Sequence, residues 1–128
     1  MATEKILYKE LAYKVVGCFY EVYNTLGPGQ KESVYQRALT VEFTLKDIPF
    51  KEKERIKMIY KDHNVGVYEP DFIVNDRILI EIKSVPQMPN VFEKQVKYYL
   101  KGTKYKLGYL VNFGSDEIDI RRRIMDEK

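Results

Sequence analysis

The apolar residues of this chain change their spacing after Lys46, and that change constrains the fold more than any other feature. Up to Lys46 they recur at three- and four-residue steps, and from Arg55 to Ser84 they recur at steps of two. The first spacing builds one face of a helix and the second one face of a strand. A chain patterned this way must pack helices against a sheet. Residues 4–26 put Leu7, Leu11, Val15, Cys18 and Val22 on one helical face, and Leu26 precedes the stop Gly27-Pro28-Gly29. A second helix is expected from Gln30 to Lys46, with Val34, Ala38, Val41 and Leu45 on its buried face, before Pro49 ends the region.

Ile56, Met58 and Tyr60 alternate with Arg55, Lys57 and Ile59, the pattern of a strand. Asp62-His63-Asn64 reads as a turn. Val65–Val74 and Ile78–Ser84 follow as two strands joined through Asn75-Asp76-Arg77, so the first three strands are expected to form a meander. Pro86 and Pro89 break the chain. Asn90, with Glu93 three residues on, has the spacing of a capping box for a helix Val91–Lys101, which Gly102 ends. Leu107–Phe113 is a fourth strand and Glu117–Ile124 a fifth or a short edge. The expected order is ααβββαβ(β), an α+β (α/β) domain with a single mixed β-sheet flanked by helices, spanning residues 1–128 as one unit. The run Arg121-Arg122-Arg123 reads as a solvated edge.

Composition narrows the chemistry. Cys18 is the only cysteine and His63 the only histidine. An internal disulfide, a cysteine-built zinc site, Ser-His-Asp or Cys-His catalysis, His-based zinc hydrolysis and most iron chemistry fall away together. Catalysis would rest on carboxylates, lysines, tyrosines or a hard, oxygen-loving metal. The apolar share of 45% suffices for a folded core, and the net charge of +3 is compatible with a polyanionic partner without arguing for one. No stretch approaches the ~20 apolar residues of a membrane helix, and no signal-peptide pattern opens the chain. The expectation is a cytoplasmic protein with no membrane association.

The segment that carries chemistry runs Glu69-Pro70-Asp71-Phe72-Ile73-Val74, Asn75-Asp76-Arg77, then Ile78-Leu79-Ile80-Glu81-Ile82-Lys83. Ile78, Ile80 and Ile82 share one strand face, and Leu79, Glu81 and Lys83 share the other. Burying an unpaired charge is costly, so Glu81 and Lys83 either neutralise each other on a wet face or belong to a site. Register decides whether Asp71 joins them. A two-residue turn pairs Asp71 with Ile80 and sends Asp71 and Glu81 to opposite faces, whereas a three-residue connection or a one-residue bulge pairs Asp71 with Glu81. If the two carboxylates converge, their repulsion demands a cation. Magnesium takes oxygen ligands and keeps several waters, so two carboxylates and a backbone carbonyl suffice for it.

Pro70-Asp71, a short hairpin, then Glu81-Ile82-Lys83 resembles the PD-(D/E)xK motif in its full form. Gly29-x-x-Glu32-x-x-Tyr35 resembles the motif that names the bacterial and archaeal GxxExxY family, a branch of the same nuclease superfamily. Gln95-x-x-x-Tyr99 is similar to the helix motif that follows the lysine in RecB-like and lambda-exonuclease-like nucleases. The three occur in order on the expected elements, and the resemblance covers the chain from about Leu11 to Ile120. It implies a restriction-endonuclease-like core and a prokaryotic, metal-dependent nuclease that hydrolyses phosphodiester bonds of DNA or RNA, with DNA ahead of RNA. It further implies a catalytic set of Glu32, Asp71, Glu81 and Lys83. Mg2+, or Mn2+ in its place, would be held by Asp71, Glu81, the Ile82 backbone carbonyl and Glu32, the last as a ligand or as holder of a water. Lys83 would position or activate the attacking water and offset phosphate charge. Gln95, Tyr99 and Tyr35 would contact the nucleic acid. Where the family often carries a histidine three residues before the glutamine, this chain has Phe92, and at residue 23, another common histidine position, it has Tyr23.

Ordinary structural roles exist for the same residues. Glu32 falls in the first turn of a helix, where the dipole favours an acid. Tyr35 and Tyr99 could pack in a core, and Gln95 could be plain helix surface. Lys51, Lys53, Arg55 and Lys57 alternate at period two and could line one sheet face or edge. Lys94, Lys97, Lys101, Lys104 and Lys106 gather around the last helix among Tyr98, Tyr99 and Tyr105, residue types that bind phosphates and stack on bases. The alternative to an enzyme is a non-catalytic nucleic-acid-binding or oligomeric scaffold that retains the nuclease fold. The enzyme is preferred, because a scaffold need not keep mutually repelling carboxylates. A chain this small is expected to grip a duplex as a homodimer.

Overall fold

The alternating residues of the segment Ile78–Lys83 sort to the two sides of one sheet, and the rest of the chain packs around that division. The computed structural model describes residues 7–125. Along it run α1 (Lys9–Leu26), α2 (Glu32–Leu45), β1 (Phe50–Glu52), β2 (Ile56–Tyr60), β3 (His63–Tyr68), β4 (Phe72–Val74), β5 (Ile78–Lys83), α3 (Asn90–Gly102), β6 (Leu107–Asn112) and β7 (Asp119–Ile124). The start of the first helix, expected over residues 4–6, lies outside the described residues.

The strand β5 is central in a mixed five-stranded sheet of order β1-β4-β5-β6-β7. It pairs antiparallel with β4 and parallel with β6, and α3 makes the crossover between β5 and β6. Ile78, Ile80 and Ile82 face the larger core, where α1 contributes Val15, Phe19 and Val22 and α2 contributes Tyr35, Leu39 and Phe43. Leu79 faces the other way, into a second core with Ile73, Leu110, Val96 and Leu100 of α3, and Tyr68 of β3. Phe72 of β4 meets Phe43 edge-on, ring centroids 5.3 Å apart, a favoured aromatic arrangement that ties α2 to the sheet. The result is an α+β fold with helices on both faces of a mixed sheet, consistent with the PD-(D/E)xK core. No helix among the described residues is long and apolar enough to cross a membrane.

The structure departs from the sequence expectation in both its strands and its helices. The expected strand Val65–Val74 is two strands, β3 and β4, separated around Pro70, which has no N–H to give to a ladder. The meander is therefore broken: β3 pairs only with β2 in a separate two-stranded sheet, and the mixed sheet is not the only one. The strand missed by periodicity, β1, has three residues, too few to show alternation, and it pairs with β4. The hairpin turn is Lys61-Asp62, both at positive φ (47° and 69°) as a two-residue hairpin loop requires, while His63 and Asn64 already belong to β3.

The second helix buries Tyr35, Leu39 and Phe43 and leaves Val34, Val41 and Leu45 exposed, the reverse of the expected face. Turning two aromatic rings inward removes more apolar surface from water than burying two valines would. At the start of α3 no side chain caps the helix. The Glu93 carboxylate instead binds Arg121 and Arg123 of β7, and Arg121 also binds Asp119. The arginine run is thus not a solvated edge, since Arg121 and Arg123 tie the edge strand β7 to α3.

Candidate active site

The ladder between β4 and β5 pairs Val74 with Ile78, Ile73 with Leu79 and Phe72 with Ile80. Asn75-Asp76-Arg77 is therefore a three-residue connection, with Asn75 and Asp76 in the left-handed region. Continued one step past the ladder, this register sets Asp71 opposite Glu81 and on the same face. The two carboxylates meet just before β4 begins, where β5 runs on beyond β4 and stays paired with β6 as far as Lys83.

Asp71 is 5% exposed. Its Oδ2 accepts the backbone N–H of Ile82 at 2.8 Å, and its Oδ1 accepts the Lys53 ammonium at 2.8 Å. Its backbone carbonyl accepts Gln36 Nε2 at 3.2 Å and the Lys53 N–H at 3.3 Å. Glu81 accepts the hydroxyl of Tyr68, and the Tyr68 ring stacks on Tyr99. Burial pushes the Glu81 carboxyl up to about 8, and the negative charge of Asp71 adds to the rise. The Tyr68 hydrogen bond and the Lys83 charge pull the other way without cancelling it. Burial and the Glu81 charge in turn hold the Tyr68 hydroxyl far above the ordinary tyrosine value. Lys83 sets its ammonium over the Phe92 ring, 4.2 Å from the centroid, in a cation–π contact.

Glu32 opens α2 and is exposed. Its carboxyl is raised, first by desolvation and then by repulsion from Asp71, while Lys83 and Lys53 draw it back. It therefore lies in the electrostatic field of the other site residues. The loop before α2 explains how it gets there. Gly27 and Gly29 take positive φ (74° and 89°), and the Ser84 hydroxyl beside the end of β5 donates to the Gln30 carbonyl at 2.5 Å. Tyr35 fixes the same loop, donating to the Gly27 carbonyl at 2.5 Å and accepting the Gln30 N–H at 3.0 Å. Its ring is fully buried and stacked on Phe113 at 4.5 Å. A phosphate or base cannot reach it, so Tyr35 acts on the site by shaping the loop and not as a nucleic-acid contact.

On α3, Phe92, Gln95 and Tyr99 follow at helical spacing along one stripe. Phe92 touches Lys83 and Tyr99 touches Tyr68, with the exposed Gln95 between them on the rim. Two residues in this cluster escape sequence reasoning. Tyr68 sits in what reads as one long strand, and nothing local says that β3 leaves the main sheet to lay a tyrosine on Glu81. Lys53 reads as one of four alternating basic residues, but the chain breaks between β1 and β2. The run forms no common face: Lys51 binds Glu54, Arg55 binds Glu69, and Lys53 turns to Asp71.

A family model described as the PD-(D/E)XK nuclease superfamily matches residues 9–124. The chain belongs to the PD-(D/E)XK nuclease superfamily. No curated protein and no solved structure is a match. Membership makes a nucleic acid the substrate class, and nucleases of the superfamily are generally dependent on a divalent metal. In this PD-(D/E)XK protein the donor chemistry fits such an ion. Asp71 and Glu81 present only oxygen, and the Glu81 carboxyl is raised first by burial and then by the Asp71 charge, both of which a bound cation would offset. Among the described residues no three of His, Cys, Asp and Glu are placed to hold a metal ion as they stand. Lys53 and Tyr68 already satisfy carboxylate oxygens that an ion would take.

Proposed function

We propose that this superfamily member is a metal-dependent nuclease hydrolysing phosphodiester bonds, with DNA ahead of RNA, through Glu32, Asp71, Glu81 and Lys83. The observation that carries the reading is the shared face of Asp71, Glu81 and Lys83 at the end of β5, beside Pro70. Asp71 and Glu81 would hold Mg2+ or Mn2+ together with the Ile82 carbonyl. Pro70, opposite Ile82 in the continued register, has no N–H to offer that carbonyl. The bound ion would supply a hard positive charge that polarises a phosphoryl oxygen and acidifies water. Lys83, held over Phe92, offers an ammonium where negative charge develops on the phosphate. Glu32, at the near end of α2, can take a proton from a water or hold one in line, and its raised carboxyl suits that work. Gln95 and Tyr99 on the rim would touch the nucleic-acid backbone.

Within the superfamily we assign the chain to the GxxExxY branch. Gly29, Glu32 and Tyr35 work as one unit here: the glycine turns the loop, the tyrosine pins it and the glutamate is delivered to the strand end. One observation favours the scaffold alternative, namely that both oxygens of Asp71 are already bonded within the protein. The test is cleavage of a panel of single- and double-stranded DNA and RNA with Mg2+ or Mn2+, beside Lys83→Ala and Glu81→Ala. Cleavage by the wild type that both variants lose supports the enzyme. A wild type inert on every substrate with either ion leaves the scaffold.

A further inference from the structure

The Lys53 backbone stands at φ 52°, in the left-handed region that costs a side-chain-bearing residue energy. Such an outlier persists where the surroundings hold it, and here they do so at both ends of the residue. The Lys53 N–H donates to the Asp71 carbonyl at 3.3 Å, and its ammonium donates to Asp71 Oδ1 at 2.8 Å. The side chain is about half exposed (54%) while the carboxylate it meets is buried (7%), so the ammonium reaches in from solvent to a charge that solvent cannot cover. We propose that Lys53 is the resident counter-ion of this site, a tethered ammonium that takes the place of a divalent cation on Asp71 and must be displaced when that cation binds.

Three further observations support the assignment. The carboxylates whose charge bears on Lys53 are Asp71, Glu32 and Glu81, the same three carboxylates that the proposed site uses. Asp71 Oδ2 is held by a backbone N–H of β5, so Oδ1 is the oxygen left for either cation. Lys83, the other ammonium nearby, rests on an aromatic ring and not on Asp71. Lys53 is therefore a positioning residue: it keeps Asp71 aimed and partly neutralised before loading, and it competes with the ion for one oxygen. The inference rests on the reading of Asp71 and Glu81 as a cation site.

Competition gives the test its sign. Removing a residue that merely supports a site weakens ligand binding, whereas removing a competitor strengthens it. Calorimetric titration with MnCl2, and melting in chelator and in MnCl2, should be run on wild type, Lys53→Met, Lys53→Arg and Lys57→Met. Lys57 is an exposed lysine of β2 and controls for the loss of one surface charge. Lys53→Met should bind Mn2+ roughly tenfold more tightly than wild type. It should also melt lower in chelator and gain more from the ion. Lys53→Arg should stay near wild type, and Lys57→Met should change the affinity far less than Lys53→Met does. Affinity in Lys53→Met that is equal to wild type, weaker, or raised no more than in Lys57→Met overturns the inference and leaves the cation site standing. Absence of Mn2+ binding in both wild type and Lys53→Met overturns the cation site and the inference with it.

Discussion

At Glu81 the cost of burial is directly measurable. In the ion-free protein its carboxyl is raised to about 8 by burial and by Asp71, while in the unfolded chain it titrates at its ordinary value. Between those values the folded state holds the extra proton. Stability is therefore full at low pH and falls as pH rises toward 8, with a slope approaching about 1.4 kcal/mol per pH unit for one proton. Chemical denaturation in chelator across that window should show the fall in wild type and flatten it in Glu81→Gln, which cannot ionise. The same slope in both proteins would mean that another group carries the effect. Lys83 makes a separate prediction. Lys83→Ala should lose most of any turnover, on the order of a hundredfold or more, because a charge used in the transition state is gone. Affinity for an uncleaved oligonucleotide should fall only modestly and stay steeply salt-dependent, since Lys94, Lys97 and Lys101 remain exposed on α3.

At the scale of elements, the connections around β5 and β6 matter as much as the strands. Asn112, fully buried at the end of β6, accepts the Val85 and Gly114 N–H groups at 3.0 Å each and donates to the Val85 carbonyl at 2.9 Å. It thereby fixes the chain that leaves Lys83. Gly114 passes so close that a Cβ there would lie 2.3 Å from the Val85 backbone nitrogen. Gly114→Ala should therefore destabilise the protein by more than about 2 kcal/mol, since backbone and not a flexible side chain must move. A melting temperature unchanged from wild type would show that the loop yields more easily than its contacts imply. Tyr35→Phe tests the loop that carries Glu32. It keeps the ring on Phe113 but deletes the hydroxyl bonded to Gly27 and Gln30. It should cost about 1–2 kcal/mol and lower turnover more than nucleic-acid affinity, because the tyrosine acts through Glu32.

Across the whole molecule, the like-charge pair at the end of β5 links metal loading to stability. Mg2+ should raise the wild-type melting temperature, because an ion that binds only the folded state stabilises it by mass action. Asp71→Asn deletes one of two charges that repel once Glu81 ionises. In chelator it should keep the fold, and it should lose the response to Mg2+. An equal Mg2+ response in the two proteins would count against a cation site at Asp71.

The sequence by itself determined those features that depend on neighbours along the chain. The two spacings gave helices packed on a mixed sheet, because helical and strand faces are written locally in which positions are apolar. Alternation assigned Ile78, Ile80 and Ile82 to one side of the sheet and Glu81 and Lys83 to the other. It also reduced the relation of Asp71 to Glu81 to a choice between two registers. Tertiary structure made that choice through left-handed Asn75 and Asp76, and it decided whatever depended on competition for the core. It rolled α2 so that Tyr35 and Phe43 went inside and Val41 and Leu45 stayed out, because larger rings gain more from burial than smaller side chains. It parted β3 from β4 at Pro70 and so laid Tyr68 on Glu81, thirteen residues away. It brought Lys53 to Asp71 from eighteen residues upstream, and the pairing of two distant charges leaves no periodic trace in a chain.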